Sequence, residues 1–370
     1  MKTKICELLG IDVPIFAFSH CRDVVVEVSK AGGMGFLGLA RMPADQLEAE
    51  LQWIDDHIGG RPYGVDVLMP KNYTKLPEIT IDPEDLPQEQ VQFMRKLLDD
   101  AGISRLPEDD DQAMLRDSLS RVTQTPEEEI ALLDIALKHP IKAVVNGLGI
   151  PPKEVIDRLH DRGIKIGSLT GKVQHAIKQK EAGIDFIVAV GTEAGGHTGS
   201  ISSMVLWPQI VDAVTPTPVL AAGGVGGGRQ MAAAMALGAD GIWCGSIWLG
   251  TRESELQPEM KEILWSASAE DAIKSRARSG KPVRMLRSQL TEAWEQPGAP
   301  DYLPMPYQSM VMCEPDLRSQ RAKHKDFMYY PVGQIVSAMH EETTCKQVIF
   351  DMMSEFVEVM ERMNQLIATD

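Results

Sequence analysis

At 370 residues the chain can form one large barrel with additions or two ordinary domains. Its 44% hydrophobic content and mean hydropathy of −0.14 read as a soluble globular protein, and a net charge of −16 argues against a nucleic-acid partner, whose phosphates it would repel. The five cysteines, Cys6, Cys21, Cys244, Cys313 and Cys345, are widely spaced without a CxxC pair, which indicates neither a disulfide framework nor a metal site and points to a reduced, cytoplasmic compartment. The N-terminal residues hold no signal-peptide pattern, and no run of roughly 18 apolar residues suggests a membrane span.

Short apolar runs alternate with helix-like segments. Strands are predicted at Val13–Phe18, Gly35–Leu39, Tyr63–Leu68, Ala143–Val145, Ile164–Leu169, Asp185–Val190, Pro218–Ala222 and Gly241–Cys244. Helices are predicted between them at Asp23–Lys30, Ala44–Ile58, Pro126–Lys138, Pro152–Asp161, Val173–Ala182, Met204–Val214 and Arg229–Leu237. Repeated strand–helix units imply parallel pairing with right-handed crossovers, and eight of them fit a closed (β/α)₈ barrel. Glycines at 32–33, 183 and 238 fall where helices end and strands begin, the place for a left-handed cap.

The barrel is expected to occupy residues 1–69 and 126–265. Residues 70–125 form an acidic, proline-punctuated, partly helical insertion after strand three, placed to cover the active-site mouth. Residues 266–370 form a mainly helical C-terminal region. Its last helix, around Cys345–Ile367, repeats methionines and aliphatics at three- and four-residue steps and reads as a packing helix. The charges at Lys274, Arg276, Arg278, Lys281, Arg284 and Arg287 read as a solvated face.

The most chemically informative stretch is Gly191-Thr192-Glu193-Ala194-Gly195-Gly196-His197-Thr198-Gly199, directly after strand six. Its glycines bring backbone close to a ligand, and His197 is the side chain there that exchanges a proton near neutral pH. His20, just after strand one, can reach the same face. The remaining histidines, at 57, 139, 160, 175, 324 and 340, read as structural or surface.

Strand seven runs into Gly223-Gly224-Val225-Gly226-Gly227-Gly228 and strand eight into Gly245-Ser246. In barrels of this kind the loops after strands seven and eight commonly bind a phosphate, through backbone N–H groups and a helix N-terminus. A dinucleotide fold does not fit: counting from Gly224, the sixth position of G-x-G-x-x-G is Arg229.

The EAGGH segment followed by a glycine resembles the signature of the nitronate monooxygenases (2-nitropropane dioxygenases) and of the flavin-dependent enoyl-ACP reductases. VPIFAFS, SKAGGMGFLG, AAGGVGGGRQMAAAMALGADGIWCGS and SGKPVRMLRSQLTEAW fit the same pattern. The likeness covers roughly residues 5–68 and 126–297, with a weaker match at Gly333-Gln334. It implies an FMN-binding TIM barrel. FMN contacts carry over to Gly191, Gly195 and Gly196, to Gly223 and Gly224, and to Trp243-Cys244-Gly245-Ser246. Ala17-Phe18-Ser19 would lie against the isoalloxazine through backbone, and Asp66 would stand where the family commonly has an asparagine at the ring edge. His197 matches the active-site histidine. The resemblance implies oxidation of alkyl nitronates, or nitroalkanes, with O₂ to carbonyl compounds and nitrite after one-electron transfer to FMN. The alternative in the same superfamily is an NAD(P)H-dependent FMN reductase acting on enoyl-ACP or a quinone.

Overall fold

The computed structural model describes residues 1–69, 85–107, 110–122 and 125–367. Eight parallel strands close into a barrel in strict chain order: β1 (Ile15–Ser19), β2 (Met34–Gly38), β3 (Gly64–Val67), β4 (Ala143–Asn146), β5 (Lys165–Thr170), β6 (Phe186–Val190), β7 (Val219–Ala222) and β8 (Gly241–Cys244). The register begins with Phe16 opposite Met34 and closes with Phe16 opposite Trp243. The expected strands all form, shifted at their ends by a residue or two, because each is a short apolar run buried on both faces.

Alternation along the strands separates two cores. Phe16, Phe36, Phe186, Val188, Leu220 and Trp243 fill the barrel interior. The intervening residues, among them Ala17, Val65, Val67, Ala189 and Cys244, face the helices. Those helices are α2 (Arg22–Lys30), α3 (Ala44–His57), α6 (Pro126–Ala136), α7 (Lys153–Asp161), α8 (Val173–Glu181), α9 (Ser203–Val214) and α10 (Gly228–Ala236). An unforeseen short helix, α1 (Lys4–Leu9), shares the interior cluster through Ile5, Cys6 and Leu9 and so plugs the end where the strands begin.

A second apolar cluster lies off the barrel. Helices α4 (Gln88–Asp100) and α5 (Asp110–Ser120) pack with α12 (Gln289–Ala293), α13 (Tyr307–Val311) and α14 (Cys313–Ala322) around Met94, Leu98, Leu115, Trp294, Met310 and Phe327. Arg318 of α14 is fully buried there, its Nη2 donating to Asp99 Oδ1 at 2.7 Å and its Nε to the Ser104 carbonyl at 3.1 Å. The insertion and the C-terminal region therefore share one lobe. Residues 70–84 of the expected mouth cover lie outside the described residues.

The C-terminal region also contains something its helical reading did not foresee. After α11 (Pro258–Ser266), an antiparallel hairpin of β9 (Ala272–Ser275) and β10 (Val283–Leu286) forms. The closing helix is α15 (Cys345–Ile367).

Candidate active site

The carboxyl ends of the strands carry the reactive loops, as barrel enzymes require. The loop after β6 is held by the chain itself on three sides. Glu193 turns back and caps α9, accepting from Ser203 N at 3.0 Å and Ser203 Oγ at 2.8 Å. The tail reaches in from the C-terminal region: Gln334 N donates to the Glu193 carbonyl at 2.9 Å, and Gly333 N donates to Ser246 Oγ at 2.8 Å. The β9–β10 hairpin closes the third side. Gly196 and Arg284 exchange backbone hydrogen bonds of 2.9 and 2.8 Å, Arg284 Nε donates to the Thr192 carbonyl at 3.1 Å, and Lys274 Nζ donates to the Gly199 carbonyl at 2.9 Å.

This corrects the reading of the basic run as a solvated face. Lys274 and the buried Arg284 are a clamp on the histidine loop. It also refines the reading of the glycines. A Cβ on Gly191 would meet the Ser203 backbone at 2.7 Å, and one on Gly195 would meet the Val332 carbonyl carbon at 2.8 Å. Those two glycines make room for the chain's own packing. Gly196, with φ of 79° and nothing within 4 Å of the place a Cβ would take, is the one that opens toward free space.

His197 is exposed to solvent, with its ring set against the Pro282 carbonyl and the Ser279 hydroxyl. Its Nδ1 lies 3.1 Å from the Pro282 carbonyl, which can only accept, so Nδ1 carries the proton. Nε2 is thereby left with its lone pair, 3.4 Å from Ser279 Oγ. Burial holds the imidazole pKa below its ordinary value, and the charges of Arg278, Lys281 and Arg41 add to this against the opposing pull of Pro282. His20 is built the same way: Nδ1 donates to the Gly38 carbonyl at 3.1 Å, the ring packs edge-on against Phe18 at 5.2 Å, and burial lowers its pKa. Both histidines feel Arg41 and Arg278. Neither arginine closes an ion pair or hydrogen bond among the described residues. The carboxyl of Asp316, pushed up to about 6 by burial, compensates them only in part near neutral pH. In a chain of net charge −16, this mouth is a local cationic site.

The glycine loops expected to cradle a phosphate follow β7 and β8, which pair side by side. Gly223 and Gly224 have φ of 90° and 73°, the left-handed region that suits glycine. Gly228 opens α10, whose N-terminus is already capped by Glu355, its Oε2 accepting from Arg229 N at 3.2 Å. Ser246 Oγ accepts from Gly333 and keeps its own proton to give. The side chains of Trp243 and Cys244 are not part of the cradle. Trp243 packs inside the barrel with its ring 4.8 Å from Phe36, and Cys244 faces the helices, its thiol pushed up to about 12 by burial. Only their backbone is placed for a ligand. Ala17 likewise turns outward, whereas Phe18 lines the interior end and Ser19 Oγ accepts from Cys21 N at 3.0 Å.

Asp66 faces the barrel interior, since its neighbours Val65 and Val67 face the helices. It is 5% exposed and its carboxyl makes no hydrogen bond among the described residues. Burial, reinforced by the Glu129 carboxyl, raises its pKa well above the usual carboxylate range. Glu129 is itself buried, accepts from Leu68 N at 3.3 Å, and is lifted from 4.5 to about 7, chiefly by burial. A native carboxyl that keeps its proton where the unfolded chain releases it loses stability as pH rises through that window. Glu129→Gln keeps an acceptor for Leu68 and removes the titration. Its melting-temperature advantage over the parent is expected to be small at about pH 5 and largest at about pH 8. An equal difference at both values would place the penalty elsewhere.

A flavin phosphate fits this arrangement: the cradle is one a Cβ would strain, Ser246 has a proton to give, and Asp66 is an orphaned polar group in the interior end. A closed (β/α)₈ barrel with such loops at the strand ends is a scaffold that many enzymes share. The nitronate monooxygenase family model matches residues 4–355, and the chain belongs to that family, one of flavoenzymes. It is 43% identical over 377 residues, covering 99% of this chain and all of the relative, to "Putative monooxygenase Rv1533" of Mycobacterium tuberculosis. It is 29% identical over 304 residues, 78% of this chain and 79% of the other, to "Probable nitronate monooxygenase" of Staphylococcus saprophyticus. Among solved structures it resembles FabK from Thermotoga maritima, with a TM-score of 0.74, 25% identity and coverage of 99% and 100%. The nitroalkane oxidase of Streptomyces ansochromogenes shares the fold, with a TM-score of 0.77, 24% identity and coverage of 97% and 99%. No described helix is long and apolar enough to cross a membrane.

Sequence reasoning missed Arg41, the hairpin clamp, Glu193 as a cap and Glu129 behind Asp66. A signal for the hairpin was present. Lys274, Arg276 and Arg278 alternate with small or apolar residues before Ser279-Gly280, the pattern of a strand entering a turn.

Proposed function

We propose that this chain is an FMN-dependent nitronate monooxygenase that converts alkyl nitronates and O₂ to carbonyl compounds and nitrite. The observation that carries the reading is His197: its Nδ1 donates to the Pro282 carbonyl, which leaves Nε2 an acceptor 3.4 Å from the Ser279 hydroxyl, in a cationic mouth. Gly223, Gly224, Gly245 and Ser246 would hold the FMN phosphate. The backbone of Ala17, Phe18 and Ser19 and of Gly191, Gly195 and Gly196 would line the ring, with Asp66 at its edge. When bound, FMN supplies an acceptor for an electron from the nitronate.

The protein residues supply charge, orientation and proton control. Arg41, Arg278 and Lys281 favour an anion over a neutral molecule in the mouth, and more so where water is excluded. A nitronate is such an anion. His197 holds its ring by Nδ1–H to Pro282 and presents the Nε2 lone pair, which takes the α-proton of a neutral nitroalkane, while the nitro oxygens, which can only accept, are left to the cations. His20 stands across the same guanidiniums as a second substrate contact.

The test is direct. Purified protein is denatured and its chromophore identified, and native protein is incubated with propyl-2-nitronate in air. FMN, together with nitrite and acetone in equal amounts, is the expected result. Another flavin or none would overturn the cofactor assignment, and absence of nitrite would overturn the reaction.

A further inference from the structure

Helix α15 is two helices in one. Its first turns bury Cys345, Val348, Ile349 and Met352, and Glu355 pairs with Arg229 of α10. From residue 360 to residue 367 every side chain is exposed. The methionine stripe is thus core only in its first half. Of the fourteen large hydrophobics that are exposed among the described residues, six lie on this one helix, from Phe350 at 64% to Ile367 at 75%. Scattered exposed apolar residues are ordinary, but a concentration on one element marks an interaction surface.

The spacing says what kind. Phe350, Met353, Val357, Met360, Asn364 and Ile367 follow one another at alternating steps of three and four. At about 3.6 residues per turn they form a strip beside the buried face, on which Met353 still touches the core while Phe350, Val357, Met360 and Ile367 are exposed. This is a heptad seam whose first positions are Phe350, Val357 and Asn364. A single asparagine at such a position sets register, because in a parallel pair it meets its own counterpart and both amides are satisfied. Antiparallel, it would face an apolar residue and leave its amide unpaired.

Charge narrows the occupant. Asp351, Glu355, Glu358 and Arg362 lie off the seam, and the flanking positions hold Ser354, Phe356, Glu361 and Met363. In a parallel pair Phe356 would lie opposite Glu361 of the other copy, so no like charges meet. An anionic membrane surface fits poorly, since the exposed end carries Glu358 and Glu361 against one Arg362, on a chain of net charge −16.

We propose that the outer half of α15 is a self-association surface that pairs in parallel, in register, with the same helix of a second copy of this chain. The pairing is independent of the cofactor and of the reaction.

Sedimentation of the full-length protein at about 50 μM, a concentration at which a modest interface is occupied, tests this. Twice the 40.7 kDa chain mass is expected for the parent, and 40.7 kDa for Val357→Glu/Met360→Glu. Both positions are exposed, so the circular dichroism spectrum of that variant should match the parent, confirming that it folds. In a parallel pair Asn364→Cys places the two thiols within reach of an intersubunit disulfide, read as a doubled mass on non-reducing gels. A parent that sediments as a monomer would overturn the proposal, as would a double variant that stays dimeric. A dimeric parent whose Asn364→Cys variant does not cross-link on oxidation would overturn the parallel register. Binding to phosphatidylglycerol vesicles by a monomeric parent would assign the face to lipid instead.

Discussion

His197→Asn is expected to keep its flavin and to turn over a neutral nitroalkane about 10²–10⁴-fold more slowly. The asparagine amide can still donate toward the Pro282 carbonyl, so the loop keeps its anchor. What it lacks is the lone pair that Nε2 presents. The loss should be smaller with a preformed nitronate, which has no α-proton to give up. Because burial and the nearby cations hold the His197 pKa below the ordinary histidine value, the basic form is already full at neutral pH. The parent's kcat/KM for the nitroalkane should therefore be flat near neutrality and fall only in acid, and that acid limb should vanish in the variant. Equal, small losses on both substrates would mean that His197 only shapes the loop. Loss of flavin would assign it to cofactor retention.

Gly224→Asp should strip the protein of flavin while leaving the apo fold nearly intact. At φ of 73° any L side chain is strained, by roughly 1–2 kcal/mol for a single residue, although aspartate tolerates this region better than most. A Cβ there has room, with Glu193 Cβ at 3.6 Å, so folding should survive. The carboxylate, however, would stand beside the place proposed for the phosphate and repel it at close range. Flavin content is expected to fall at least about tenfold at micromolar protein, the size of a 1.4 kcal/mol loss. Thermal unfolding must be compared between apo forms, since bound cofactor itself raises apparent stability. Normal occupancy in the variant would place the cradle elsewhere.

The barrel was legible because its signals are local. Runs such as Ile184 to Val190 are buried on both faces, and glycines 32, 183 and 238 take the positive φ that ends the preceding helices. The strand-end loops and His197 were legible for the same reason, as glycine-rich breaks after those runs. What escaped depends on contacts far apart in sequence. Arg284 reaches Thr192 across 92 residues, Gly333 reaches Ser246 across 87, and Glu129 supports Asp66 from the far side of the insertion. Inside and outside also follow from barrel closure and not from composition. Trp243 and Cys244 are neighbours in a motif, yet one fills the interior and the other faces the helices. In α15 periodicity alone shows an apolar stripe, but only the packed chain shows that its outer half is exposed among the described residues.

The reaction is tested most directly by following flavin absorbance after anaerobic mixing of the purified protein with NADH or NADPH. On the proposed reading a nitronate, and not a nicotinamide, reduces the flavin, so the absorbance should hold steady with either reductant and bleach only when a nitronate is added. Rapid bleaching by NADH or NADPH would contradict the monooxygenase reading and make the chain a nicotinamide-dependent reductase.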